Sequence, residues 1–224
     1  MKLAIMQPYF IPYLGYFQMM NAVDEFMLYD DVNFIKRGWV HRNKTIINGK
    51  ETYLSLSLSK ASQNKKINEI DMHIEAKWRK ELLEKVRHRY GKCPNYSKIQ
   101  PMVAAWLYNG SSHRTLSLVL RDSLIDIANY LGIPARISLS SCTTSNQNLK
   151  GAERILDICL ERKADTYINA IGGQDLYDKA DFDKQGIDLY FIQMNHPSYE
   201  SILDLLMEKD KDEIKLMLDD YSLL

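Results

Sequence analysis

Lys2-Leu3-Ala4-Ile5-Met6-Gln7-Pro8-Tyr9-Phe10-Ile11-Pro12-Tyr13-Leu14-Gly15-Tyr16-Phe17 runs on through Gln18-Met19-Met20-Asn21-Ala22 to Glu25-Phe26-Met27-Leu28-Tyr29-Asp30-Asp31, and this stretch decides the fold. Two short apolar runs, Leu3 to Met6 and Glu25 to Tyr29, each stop at polar residues, as strands buried on both faces do. Between them Leu14, Phe17, Gln18, Met19, Met20 and Ala22 fit a short helix, with Gly15 allowing close approach. Strand, helix and strand in this order make a βαβ unit, so the first two strands are parallel.

Working outward, Ile46-Ile47 and the alternating run Thr52 to Leu58 flank Asn48-Gly49, the pairing of turn and strands that predicts a β-hairpin near 45–59. A helix-rich insertion near 75–132 follows. Its helices are Ala76 to Tyr90 closed by Gly91, Tyr96 to Tyr108 closed by Asn109-Gly110, and Leu116 to Leu131 closed by Gly132 and Pro134. Alternation then resumes with strands at Ala135 to Leu139, Thr166 to Ala170 and Leu189 to Gln193, and a helix at Leu149 to Arg162. Ser201 to Leu206 and Asp212 to Leu218 complete the chain as C-terminal helices. The expected fold is α/β, a Rossmann-like open and mainly parallel sheet within a single domain spanning 1–224.

Bulk properties narrow the function classes. Lys plus Arg and Asp plus Glu each total 29, so no net field exists to hold a nucleic-acid backbone, and no DNA partner is expected. Met1 to Met6 meets Gln7-Pro8 too early for a signal peptide, and no apolar run reaches membrane-spanning length. The expected location is the cytoplasm, without membrane insertion. Cys93, Cys142 and Cys159 form neither a CxxC pair nor an even set, which points to structural thiols. No histidine pair has metal-ligand spacing, so no metal is assigned, and the sequence names no cofactor or oligomeric state.

In an open parallel sheet, ligands sit outside the carboxyl ends of the strands. That rule selects Gln7 and Tyr9, Asp30 and Asp31, Ser140 with Ser141, and Gly172 with Gly173. The loop from Tyr29 to Asn43 is the richest: Arg37 or Arg42 can fork onto a phosphate or carboxylate, Trp39 can stack on a base or sugar, and Asp30 or Asp31 can act as a base. The bland alternative is a loop of paired charges anchored by Trp39. Pro8 to Tyr16 puts two prolines and four aromatics before the first helix, either as pocket walls or as packed core. Gly172-Gly173 permits close backbone approach to a ligand or simply makes a tight turn. A Cys142 nucleophile served by His41 or His196 is a lesser possibility that requires spatial proximity.

Met6 to Phe17, Tyr29-Asp30-Asp31-Val32 and Lys36-Arg37-Gly38-Trp39-Val40-His41-Arg42-Asn43 closely resemble the N-terminal signature of WbqC-like proteins. Tyr167 to Tyr177 and Ser201-Ile202-Leu203-Asp204 resemble later blocks of that family, while the helical middle matches loosely. The resemblance implies a role in bacterial O-antigen, lipopolysaccharide or related surface-polysaccharide biosynthesis, with a sugar or nucleotide-sugar substrate. It carries the ligand role to Gln7, Tyr9, Asp30, Asp31, Lys36, Arg37, Trp39, Arg42 and Asn43, and Tyr13, Ser140, Gly172 and Gly173 complete the binding set. His41 stands where family signatures often carry Asn, which argues against an essential histidine there.

Three functions follow as expectations. The first is a transferase modifying an amino sugar or nucleotide-linked sugar, including by acyl or aminoacyl transfer, with Asp30 or Asp31 as the base. The second is a noncatalytic binding or assembly protein of the same pathway. The third is a divergent nucleotidylyltransferase, since Tyr13-Leu14-Gly15-Tyr16 is placed like the His-x-Gly-His turn of such enzymes, though without its histidines.

Overall fold

The computed structural model describes residues 1–108 and 114–224. The chain folds as β1 (Lys2–Met6), α1 (Leu14–Asn21), β2 (Glu25–Leu28), β3 (Arg42–Ile47), β4 (Lys50–Ser55), β5 (Leu58–Ser59) and β6 (Asp71–Met72). The helices α2 (Ala76–Tyr90), α3 (Tyr96–Tyr108) and α4 (Leu116–Leu131) follow. Then come β7 (Arg136–Leu139), α5 (Ser140–Thr143), α6 (Gly151–Glu161), β8 (Thr166–Ala170), α7 (Lys179–Asp183), β9 (Asp188–Met194), α8 (Ile202–Glu208), α9 (Lys211–Leu218) and β10 (Tyr221–Leu223). The expected stop at Asn109-Gly110 lies outside the described residues.

A mixed α/β architecture results, with a six-stranded sheet in the order β10-β9-β8-β1-β2-β7. Every neighbouring pair is parallel except β9 with β10. Alternate residues feed two cores, because successive side chains in a strand point to opposite faces. Ala4, Phe26, Leu28 and Ile168 pack against α1, α4 and the C-terminal helices. Leu3, Ile5, Met27, Tyr167 and Leu189 pack against Ile155, Ile158 and Cys159 of α6 and Phe182 of α7. Covered on both faces, the strands have no need of polar alternation, which is why they read as continuous apolar runs.

Asn48 and Gly49 have φ of 52° and 74° between β3 and β4, the left-handed pair a tight hairpin turn requires. The hairpin is shorter than its alternating sequence suggested. Ser55 is the last β4 residue, and Leu58–Ser59 leaves to pair with Asp71–Met72. At the other end of the sheet, Glu25 is buried at the start of β2. Its carboxylate accepts from Ser138 Oγ (2.7 Å) and from the Arg136 and Arg162 guanidiniums. Among the described residues, no helix is long and apolar enough to cross a membrane.

Candidate functional site

The sheet changes direction of construction at β1: the chain leaves it toward β2 and β7 on one side, and later returns to β8 and β9 on the other. Loops diverge at such a point and leave a crevice above the strand ends. Two adjoining cavities, of about 500 and 490 Å³, lie there and share Gln7, Tyr29 and Gly151. The first is walled by Asn169 and Ala170 from the end of β8, by Gly172, Gly173 and Tyr177 from the turn after it, and by Ala152 and Ile155 of α6. The second adds Asp31, Asn33, Lys66, Lys150 and Arg154.

Its floor is a network of buried polar groups. Asp31 forms an ion pair with Arg154, both side chains almost wholly buried, and its other oxygen accepts from Ser140 Oγ at 2.6 Å. Arg154 also donates from Nε to Asn146 (3.2 Å), and its guanidinium lies 4.8 Å from the Tyr29 ring centre. Asp30 stands behind this wall with no exposed surface. One of its oxygens accepts the Ser141 backbone N–H (3.0 Å) and the other the Ser141 hydroxyl (2.9 Å), so it fastens the start of α5 to the end of β2. Ser140 Oγ in turn accepts the Asp30 backbone N–H (3.2 Å).

The N-terminus of α6 opens on the crevice. Gly151 enters the helix with φ of 56°, and no side chain caps its first amides at Lys150. Unsatisfied N–H groups at the positive end of a helix dipole favour anions. Burial pushes the Tyr29 phenol up, a shift opposed by Arg154, and burial also pushes Tyr177 up. Both therefore remain neutral hydrogen-bond donors at pH 7. A Cβ at Gly173 would come within 2.5 Å of Asn169 Nδ2, so any larger residue there must displace the Asn169 side chain. Gly172 has open space around it instead.

Of the residues nominated from sequence, Gln7, Asp31, Gly172 and Gly173 line the crevice, with Asp30 and Ser140 directly behind it. The aromatic and basic set lies elsewhere. Tyr9 packs against Trp39, Tyr13 and Tyr16 at centroid distances of 6.1 to 6.4 Å, and Tyr13 packs against Tyr199. Lys36 and Arg37 project into solvent, and Arg42 donates to the Arg37 and Gly38 carbonyls while lying 4.4 Å over the Tyr53 ring. Asn43 is buried and donates to the Ile11 carbonyl (2.7 Å). His41 packs on Phe34, its imidazole held neutral by burial and by Arg42. His196 pairs with Asp220, so neither histidine is a hydrogen-bond partner of Cys142.

Tyr29, Asn169, Tyr177, Lys150 and Arg154 were not nominated as site residues. Arg154 did carry a signal: it shares a helix face with Ile155, Ile158 and Cys159 and is buried among them. A charge on such a face needs a partner, but its identity depends on the β2 end, 123 residues away.

No solved structure matches the chain. It is 30% identical over 189 residues to an uncharacterised protein, Rv1507c, of Mycobacterium tuberculosis, covering 83% of this chain and 79% of that one. A family model described as the WbqC-like protein family matches residues 7–216. That match takes in the first loop, the strand-end crevice and the C-terminal helices alike, and the chain belongs to the WbqC-like protein family.

Proposed function

We propose that the crevice binds a phosphate-bearing sugar of the nucleotide-linked class, and that the protein is a cytoplasmic transferase modifying it for bacterial surface polysaccharide, with residues 1–224 acting as one α/β domain. The observation that carries this reading is the uncapped N-terminus of α6 at the meeting of the two cavities above β1, with Lys150 and Lys66 lining the second of them. Numbered by appearance, the parallel strands run 3-2-1-4-5, an order that supports a Rossmann-like reading, in which the switch point is the usual ligand position. The family resemblance supplies the polysaccharide context.

In this reading the α6 amides, Lys150 and Lys66 hold phosphate, while Gln7, Asn169 and the two phenols orient the sugar. Asp31 is the carboxylate presented to the cavity and takes the proton of the sugar's amine or hydroxyl as that nitrogen or oxygen bonds to the acyl carbon of an activated acyl or aminoacyl donor, whose carrier leaves with the electron pair of the broken bond. Asp30 and Ser140 are positioning residues that fix Asp31 and α5. A nucleotidylyltransferase has least support. Around Tyr13 and Gly15 the structure leaves a cavity of only about 50 Å³, and Tyr199 and Met194 close it.

The test is thermal unfolding against a panel of nucleotides and nucleotide sugars. A ligand at 100 times its Kd stabilises by about 2.7 kcal/mol, or roughly 5–10 °C for a chain of this size. A shift seen in the wild type and lost in Lys150→Glu supports the site; no shift across the panel removes it. The assembly-protein reading is favoured by one observation, the exposed loop where Trp39, 46% exposed, lies outside both crevice cavities, next to Ile35, 53% exposed on the wall of the second. Pulldown with Trp39→Ala as control tests it.

A further inference from the structure

We infer that a second ligand site, separate from the crevice and independent of the reading given to it, lies between the β3/β4 hairpin, α2 and the first turn of α8, and that it takes a small organic ammonium group. The site is a cavity of about 320 Å³. Asp204 is at its base, 8% exposed. One carboxylate oxygen accepts from Tyr90 Oη and from the Arg89 guanidinium, both at 3.0 Å. Tyr90 is itself fully buried and shares a hydrogen bond with Thr45 (3.2 Å), so this half of the carboxylate is fixed from two elements.

The other oxygen, Oδ2, has no hydrogen-bond partner among the described residues. Oδ2 is not sealed in the core but opens on the cavity, so a donor carried by a ligand can take the place of water there. Burial pushes the Asp204 carboxyl up even against Tyr90 and Arg89, as expected for a charge that lacks a full set of partners.

The charges around the cavity decide the sign of the ligand. Arg89 is shared between Asp204 and Glu208, and Lys44 is paired with Glu51 at 2.9 Å. Glu51 offsets Lys44 and Glu208 offsets Arg89, so the charge of Asp204 remains in excess beside them. Glu200 also lines the cavity and has no ion pair among the described residues, so Glu200 and Asp204 Oδ2 are the groups left to meet a ligand. A bare metal ion fits poorly, since no group of three or more ligating side chains is present among the described residues. An ammonium needs only two or three acceptors. Tyr199, 70% exposed at the rim, offers an aromatic face to the same charge.

The test uses the full chain and ethylammonium chloride as probe, with ethanol and sodium chloride as controls, followed by ¹⁵N chemical shifts. Saturable shifts at the hairpin and around residues 199–204 with ethylammonium alone are expected. Asp204→Asn should weaken binding about tenfold, the loss of one charge-assisted hydrogen bond. Affinity should also fall as pH is lowered through the raised Asp204 pKa, because the protonated acid no longer attracts a cation. If Asp204→Asn fails to fold, Glu200→Gln and Tyr199→Ala, both at exposed positions, should each weaken binding severalfold. The inference is overturned if the wild type gives no saturable shift, if sodium chloride reproduces the shifts, or if folded variants bind as the wild type does.

Discussion

Replacing Arg154 with methionine tests whether the floor of the crevice is held by its buried ion pair. The Arg154 and Asp31 side chains are 4% and 2% exposed, so neither charge is relieved by water. In Arg154→Met, Asp31 keeps only the Ser140 hydroxyl as a side-chain partner, and Asn146 loses its donor from Nε. Leaving one member of a buried pair uncompensated costs about 3–5 kcal/mol. That is a large part of the roughly 5–15 kcal/mol expected for a whole domain, and equals a fall in Tm of about 6–20 °C. Urea unfolding of the wild type, Arg154→Met, Asp31→Asn and the double variant closes a double-mutant cycle. Because the double variant has no stranded charge, it should be more stable than the two single losses summed, by about 2 kcal/mol or more. A single-variant loss below about 1 kcal/mol, or additivity within about 0.5 kcal/mol, refutes the argument.

Glu25 gives a pH signature. Burial pushes its carboxyl up, but hydrogen bonds from Ser138, Arg136 and Arg162 outweigh this and hold it below its ordinary 4.5. Its contribution is therefore present above pH 4.5 and lost as pH falls through the depressed value; in Glu25→Gln, urea midpoints at pH 7 and in that acid range should differ less than in the wild type. Gly173→Ala should cost about 1–3 kcal/mol and abolish any crevice ligand's thermal shift, because the new methyl must displace Asn169, whereas Gly172→Ala meets nothing within 4 Å and should change stability by less than about 0.5 kcal/mol. Asn43→Ala removes a buried donor to the Ile11 carbonyl and should lower stability by about 1–3 kcal/mol, measured by the same urea series.

The strands and long helices were legible in sequence because their signals are local. Ala76–Tyr90 and Leu116–Leu131 begin and end where periodicity and Gly91 or Gly132 place them, and Gly132 is left-handed, with φ of 79°. The small elements were not. Ser140–Thr143 is a single turn of hydroxylated residues and a cysteine whose helical form depends on Asp30 at its first amides. Tyr221–Leu223 has too few residues to show a period and exists as a strand because β9 presents an open edge. The lining of the candidate crevice was half legible for the same reason. A rule about strand ends finds Gln7, Asp31, Gly172 and Gly173, since it needs only the strands. It does not separate them from Lys36, Arg37 and Trp39, whose direction is set by the turn at Arg37, where φ is 64°. Of the aromatic run from Tyr9 to Tyr16, Phe10 and Tyr16 are enclosed in the core, while Tyr9 and Tyr13 stay partly exposed.

The Ile11 carbonyl receives two donors, Asn43 Nδ2 at 2.7 Å and Ser201 Oγ at 2.8 Å, and Ile202 N–H donates to the adjacent Pro12 carbonyl at 2.7 Å. Ile11 itself has φ of 45°, a conformation a β-branched residue adopts only when its surroundings impose it. Asn43 lies 32 positions further along the chain and Ser201 lies 190, so during synthesis the second clamp is added long after the first. The loop that leaves β1 therefore stays half-clamped until Ser201 and Ile202 arrive. The nascent chain should reach its final resistance to proteolysis near Pro12 only once α8 has docked.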